Sequence, residues 1–201
     1  MNWIVNSNDQ KMNNINTIEV DGVCFETLMP ERELLIPTIK PRVSTRVQLG
    51  IRITNHTSSN LRFCFYNAFF MLPELIAPDG QTFERGYHCE RSVTPQNSDF
   101  LLAIPGEAIT FYPATFLYWQ QNPKKKRDRK LTISMFFQDS DGFIFEFLYS
   151  GNYQIRFLYE QSRSDMEKYY KSSVDIEQSI LQEVWTGKVI TPMVDFKVLQ
   201  E

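Results

Sequence analysis

Two histidines, His56 and His88, and three cysteines, Cys24, Cys64 and Cys89, are all that this 201-residue chain offers to imidazole and thiol chemistry. Any histidine-dependent triad or multi-histidine metal centre would have to be assembled from that one pair. His56 sits in Asn55-His56-Thr57-Ser58-Ser59-Asn60, a run of short polar side chains that bond their own backbone and make turns, so it reads as an exposed loop residue. His88-Cys89-Glu90 sets an imidazole beside a thiol. Neighbours on an extended chain point to opposite faces, however, and activating a sulfur nucleophile needs contact at hydrogen-bond range, so Cys89 reads as a structural or merely exposed thiol. Structural zinc sites usually show a Cys-x-x-Cys knuckle, which is missing here. Asp139-Ser140-Asp141-Gly142 opens like a calcium loop. The bidentate Glu that closes such a loop is replaced by Ser150, and a tight turn between Phe137 and Phe143 accounts for the same residues. Neither a Walker loop nor a dinucleotide glycine pattern occurs, and the eight glycines are spread singly through turns. The sequence therefore yields no catalytic residues, no metal ligands and no cofactor site.

One segment has a pronounced electrostatic character: Lys124-Lys125-Lys126-Arg127-Asp128-Arg129-Lys130, shortly after Phe116, Tyr118 and Trp119. The candidate binding residues are accordingly Lys124, Lys125, Lys126, Arg127, Arg129 and Trp119, cations for phosphates or an acidic protein and a ring to stack. A charged loop between two apolar strands also promotes solubility and discourages edge pairing, which is the competing reading. The formal net charge of −3 gives no overall attraction to nucleic acid or anionic membranes, so such binding has to be local.

Those residues must be positioned by a framework, and its signals are strand-like. Hydrophobic residues make up 42% of the chain and aromatics 14%, enough to bury a core without disulfide staples. In Thr45 to Thr54, Val47, Leu49, Ile51 and Ile53 alternate with polar residues, the period-two pattern of a strand with one wet face. Beyond the turn at Asn55 to Asn60, Leu61, Phe63 and Phe65 resume the alternation, which predicts a hairpin. Pro78-Asp79-Gly80, Pro105-Gly106, Asp141-Gly142 and Ser150-Gly151 punctuate further short runs rich in aromatic and β-branched residues. Among these, Phe143, Phe145 and Phe147 alternate cleanly and read as core. Helical spacing is confined to Ser164 to Val184, which predicts an insertion before the last strand. The Asn-rich segment 1–16 reads as a flexible tail with no secretory apolar run, and residues 17–201 as one domain. Three cysteines at unrelated spacings suit reduced thiols in the cytoplasm, and no stretch is long enough to cross a membrane.

The carboxyl-terminal pattern Gly151-Asn152-Tyr153-Gln154-Ile155-Arg156-Phe157, Trp185-Thr186-Gly187-Lys188-Val189-Ile190, Thr191-Pro192 and Val194-Asp195-Phe196-Lys197-Val198, with the turn Ile104-Pro105-Gly106-Glu107, resembles uncharacterised bacterial proteins with immunoglobulin-like sandwich domains. Its layout is similar to that of bacterial intracellular proteinase inhibitors. The resemblance implies an all-β, immunoglobulin-like sandwich of two sheets and about eight or nine strands. The inter-sheet cysteine pair of antibody domains is missing. No inhibitory loop carries over residue by residue. The expected function is a non-catalytic binding or interaction module with an unknown partner, a protein such as a protease. An enzyme with a loop-built carboxylate and hydroxyl site, or a weak nucleic-acid binder through Lys124 to Lys130, is the alternative.

Overall fold

The computed structural model describes residues 17–40, 42–66, 68–89, 96–121, 128–137, 141–164 and 176–200. The tail expected over 1–16, residues 165–175 of the helical insertion, and Lys124, Lys125, Lys126 and Arg127 lie outside them. The fold is all-β and mostly antiparallel, with one short helix, α1 (Gln178–Glu183), near the C-terminus. One sheet runs β1 (Thr17–Val20), β2 (Val23–Leu28), β5 (Gly50–Asn55), β10 (Ala108–Phe111). A second runs β4 (Ser44–Val47), β11 (Ala114–Gln121), β12 (Arg129–Phe136), β13 (Gly142–Leu148), β8 (Gly86–His88). The third is built on β14 (Gly151–Gln161), flanked on one edge by β15 (Gly187–Ile190) and β16 (Val194–Leu199) and on the other by β7 (Met71–Ile76). On its far side β16 takes β3 (Glu33–Leu35) in parallel. The pair β6 (Leu61–Cys64) and β9 (Phe100–Ala103) completes the set.

The described residues thus hold sixteen strands in four hydrogen-bonded sheets, in place of eight or nine in two. The difference has a physical cause: strands bend from one sheet into the next. The expected strand Thr45 to Thr54 is β4 and β5, divided at Gln48-Leu49, and its partner is divided into β11 and β10 at Tyr112-Pro113. Register survives the bend, since Val47 faces Thr115 before it and Ile51 faces Phe111 after it. Gly50 makes the bend possible. A Cβ there would lie 2.0 Å from the carbonyl oxygen of Phe111.

The hairpin expected around Asn55 to Asn60 is a crossover instead. β5 pairs with β2 and β10, while β6 pairs with β9. Asn55 is fully buried at the junction and holds it: its amide donates to the carbonyls of Ser59 and Ala103, both at 2.8 Å, and its Oδ1 accepts from the backbone and hydroxyl of Thr57. A similar repair joins β15 to β16. Pro192 has no N–H for the ladder, and beside it the Thr191 hydroxyl bridges the strands, accepting from the Phe157 N–H at 2.8 Å and lying 2.6 Å from the Thr27 hydroxyl.

Inward side chains form one aromatic-rich core. Phe25, Phe63, Tyr159 and Trp185 meet at its centre with ring centroids 5.1 to 6.2 Å apart. Gly187 closes the Trp185 step because a Cβ there would sit 2.6 Å from the indole. Alternation sends Cys64 opposite Phe63 and Phe65, as expected, but that side is buried too. It faces a smaller cluster in which Ile176, Ile180 and Val184, in and around α1, cover Cys64, Phe70 and Phe100.

Candidate functional site

Alternation decides what each large sheet shows to the outside. On the β14 sheet the outward positions are Asn152, Gln154, Arg156, Leu158 and Glu160, with Asp195, Lys188 and Glu74 beside the polar ones in ion pairs or hydrogen bonds and the exposed Ile190 opposite Leu158. On the β2–β5 sheet they include Glu26, Arg52 and Thr54. Both are wet faces. The β4-β11-β12-β13-β8 sheet differs. Its inward residues, Val47, Thr115, Leu117, Ile133, Met135, Phe143 and Phe145, are buried, and all but the threonine belong to the main core.

The side chains on its opposite face are largely aromatic. Pairing registers set Arg46, Phe116, Ser134 and Ile144 in one row across the sheet, Ser44, Tyr118 and Thr132 in the next, and Phe136, Gly142 and His88 in a third. Phe116, Tyr118, Phe136 and Ile144 are half-buried and take no part in the core. His88 meets Phe136 edge-on at 6.1 Å. Ser134, fully buried between its neighbours, has no hydrogen-bond partner for its hydroxyl among the described residues.

Phe147 completes the face. Leu131 faces Leu148 and Ile133 faces Phe145, so Glu146 and Phe147 together oppose Thr132 in a β-bulge. The bulge reverses the expected burial: Phe143 and Phe145 are core, whereas Phe147 is 64% exposed. Its backbone is left-handed, with φ 66°, a conformation disfavoured for a bulky residue. Lys130 reaches across from β12 with Nζ 4.3 Å from the Phe147 ring centroid and 2.6 Å from Glu146 Oε2. The cation is thus shared between a ring and a carboxylate.

At the β8 edge Tyr87 donates to Asp141 Oδ2 at 2.7 Å, and desolvation, together with that carboxylate, pushes its phenol up, so it stays a donor. Phe69 leans on the same ring at 4.7 Å. The Asp141 carbonyl accepts from the Phe137 N–H where β12 gives way to β13; residues 138–140 of the turn expected there lie outside the described residues.

The sequence-derived candidates divide. Trp119 is one position out of phase with Tyr118: it points inward, packs on the core and donates its indole N–H to the Pro37 carbonyl at 2.9 Å. Arg129 is exposed at the start of β12, opposite Gln121. Lys124, Lys125, Lys126 and Arg127 fall outside the described residues. Phe116 and Tyr118 reach the outer face. Ser134 carried no signal because its environment depends on the two strands that flank β12, and Phe147 read as core because only a count against β12 exposes the extra residue.

An open cleft of about 670 Å³ lies between Ser58, Ser59, Asn60 and Leu61 and the α1 side chains Ser179, Gln182 and Glu183. Its carboxylate is held by Arg62 at 2.7 Å. Burial pushes the Asp99 carboxyl up, but that group accepts from the Gln96 N–H and closes its own turn. His56 is exposed and rests on Glu19 at 3.1 Å. Among the described residues no three His, Cys, Asp or Glu side chains gather to hold a metal, and no helix is long and apolar enough to cross a membrane. No family model, curated protein or solved structure matches the chain.

Proposed function

We propose that this chain is a non-catalytic binding module that meets its partner with the outer face of the β4-β11-β12-β13-β8 sheet, carried on an immunoglobulin-like sandwich of the kind its carboxyl-terminal pattern resembles. One observation carries the reading: Phe147, a large aromatic residue, is held out of the core on a left-handed bulge beside the other outward rings. Strained, exposed side chains persist where the surroundings fix them, and they concentrate at sites of recognition. Rings are also the side chains that contribute most at binding surfaces, because they bury large areas at low entropic cost.

The test pairs the protein with a double variant, Phe147→Ser with Tyr118→Ser, whose melting temperature is checked first. A partner retained by the wild-type chain and lost by the variant supports the reading. Equal retention by both overturns it. The partner expected from sequence is a protein, with a protease as the special case. Nanomolar inhibition across a protease panel supports that version, and inertness removes it.

A further inference from the structure

The side chains on the wet outer face of the β14 sheet stand in rows, and one row is apolar. The pairing registers on the two sides of β14 set Ile190 of β15, Leu158 of β14 and Leu72 of β7 in line across three strands. Ile190 is 45% exposed and the two leucines are half-buried. Exposed aliphatic residues scattered singly are ordinary on a protein surface, whereas three in register make a contiguous stripe. An ion pair borders the stripe on either side. Two residues along β14 from Leu158, Glu160 Oε2 lies 2.8 Å from Lys188 Nζ, and two residues the other way Arg156 pairs with Glu74.

The order of these charges selects an occupant. On one border the cation is on β15 and the anion on β14, and on the other the cation is on β14 and the anion on β7. When a second copy is turned over this face about a twofold axis that runs along the apolar row, Leu158 meets Leu158, Ile190 meets Ile190 and Leu72 meets Leu72. Glu160 of each copy then comes over Arg156 of the other. The charges on each border read Lys188 and Glu160 of one copy, then Arg156 and Glu74 of the other, alternating in sign throughout, and the symmetry builds this series twice. A face whose charges complement themselves about an apolar centre fits an isologous contact. Sheets packed face to face keep their strands within about 30° of each other, a rotation that long Glu and Arg side chains close to the axis can follow.

We propose that the chain associates with a second copy of itself through the outer face of the β14 sheet, with Leu72, Leu158 and Ile190 at the centre and reciprocal Glu160–Arg156 pairs on both borders. Three strands about 4.8 Å apart, over the seven residues from Gln154 to Glu160 at about 3.3 Å each, bury roughly 500 Å² per copy once the relief of the side chains is counted. The total of about 1,000 Å² is at the lower end for a specific interface, so the dimer is weak and forms in the micromolar range. The contact uses a surface separate from the aromatic face and stands or falls independently of it.

Sedimentation velocity of the full chain tests this, with the sedimentation coefficient moving from monomer to dimer between about 1 and 500 µM. Ile190→Lys, at an exposed position, raises the dissociation constant by about tenfold or more with the melting temperature unchanged. Glu160→Lys and Arg156→Glu each have a similar effect, because each sets like charges together at both reciprocal contacts. Mixed in equal amounts, these two charge variants recover a dimer within about threefold of the wild-type dissociation constant, since both contacts then join opposite charges. A role for these ion pairs within one copy alone gives no recovery on mixing. A chain that stays monomeric over the whole range overturns the proposal, as does a dimer indifferent to Ile190→Lys or to the single charge variants, or a mixture that associates no better than either variant by itself. A dimer that Phe147→Ser with Tyr118→Ser dissociates places the contact on the aromatic face and overturns it too.

Discussion

A phenylalanine in left-handed backbone stores free energy, because its Cβ crowds the following carbonyl where a glycine would meet nothing. At Phe147 that cost is of the order of 1 kcal/mol. Phe147→Gly should therefore raise the melting temperature, by about 2 to 4 °C for a chain of this size, while abolishing partner binding. A thermal melt set beside a binding titration checks this, and a fall in melting temperature would show the bulge to be unstrained. Ser134→Ala belongs at the same scale. Its hydroxyl is buried without a partner among the described residues, so the substitution removes a desolvated group and should stabilise by about 1 kcal/mol in urea unfolding. Single residues were legible only where a local rule was enough. Counting from Leu117 places Trp119 inward and Tyr118 outward, so the ring offered for stacking, Trp119, is the one that alternation turns to the core. No local rule places Phe147, since its exposure comes from a mismatch of residue number between two strands.

Elements are joined here by corners, and each corner depends on one side chain or its absence. Gly50→Ala would push a methyl into the Phe111 carbonyl at a point where two sheets meet, and should cost more than about 4 kcal/mol, seen as loss of soluble protein or of cooperative unfolding. Asn55→Ala leaves the Ala103 carbonyl without the Asn55 donor in a buried site and frees the turn over residues 56–60, so a loss of about 2 to 4 kcal/mol in chemical denaturation is expected. Strand existence was readable from alternation through Val47, Leu49, Ile51 and Ile53. Where that run changes sheets was not, because the inward pattern continues unbroken through the bend. Met71–Ile76 was hidden for a different reason: Pro73 argues against a strand, and the structure accommodates it with a single partner, β14, on one side and only a bridge from Ile76 to Thr82 on the other.

The whole molecule is held by aromatic burial, and its pH response derives from that. Burial pushes the phenols of Tyr159 and Tyr153 up, Tyr159 most strongly, where its hydroxyl donates to the Cys64 carbonyl. Folded, these groups keep their protons above about pH 10, whereas the unfolded chain releases them there. Stability is therefore insensitive to them below about pH 10 and declines as pH rises beyond it. Tyr159→Phe should flatten that decline in denaturant titrations at successive pH values. The class of the fold was legible because composition and alternation are global properties, and the carboxyl-terminal pattern marked β14 to β16 closely. The number of sheets was not, since pairing partners lie far apart in sequence. That separation has a kinetic consequence. The antiparallel ribbon of Ser44 to Cys64 with Phe100 to Tyr118 threads the β2–β5 sheet, the β12–β13 sheet and the β6–β9 pair, so none of them is complete until two distant stretches of chain have found each other. Refolding should be slow, on the scale of milliseconds to seconds, with the closing of this one seam as its limiting step.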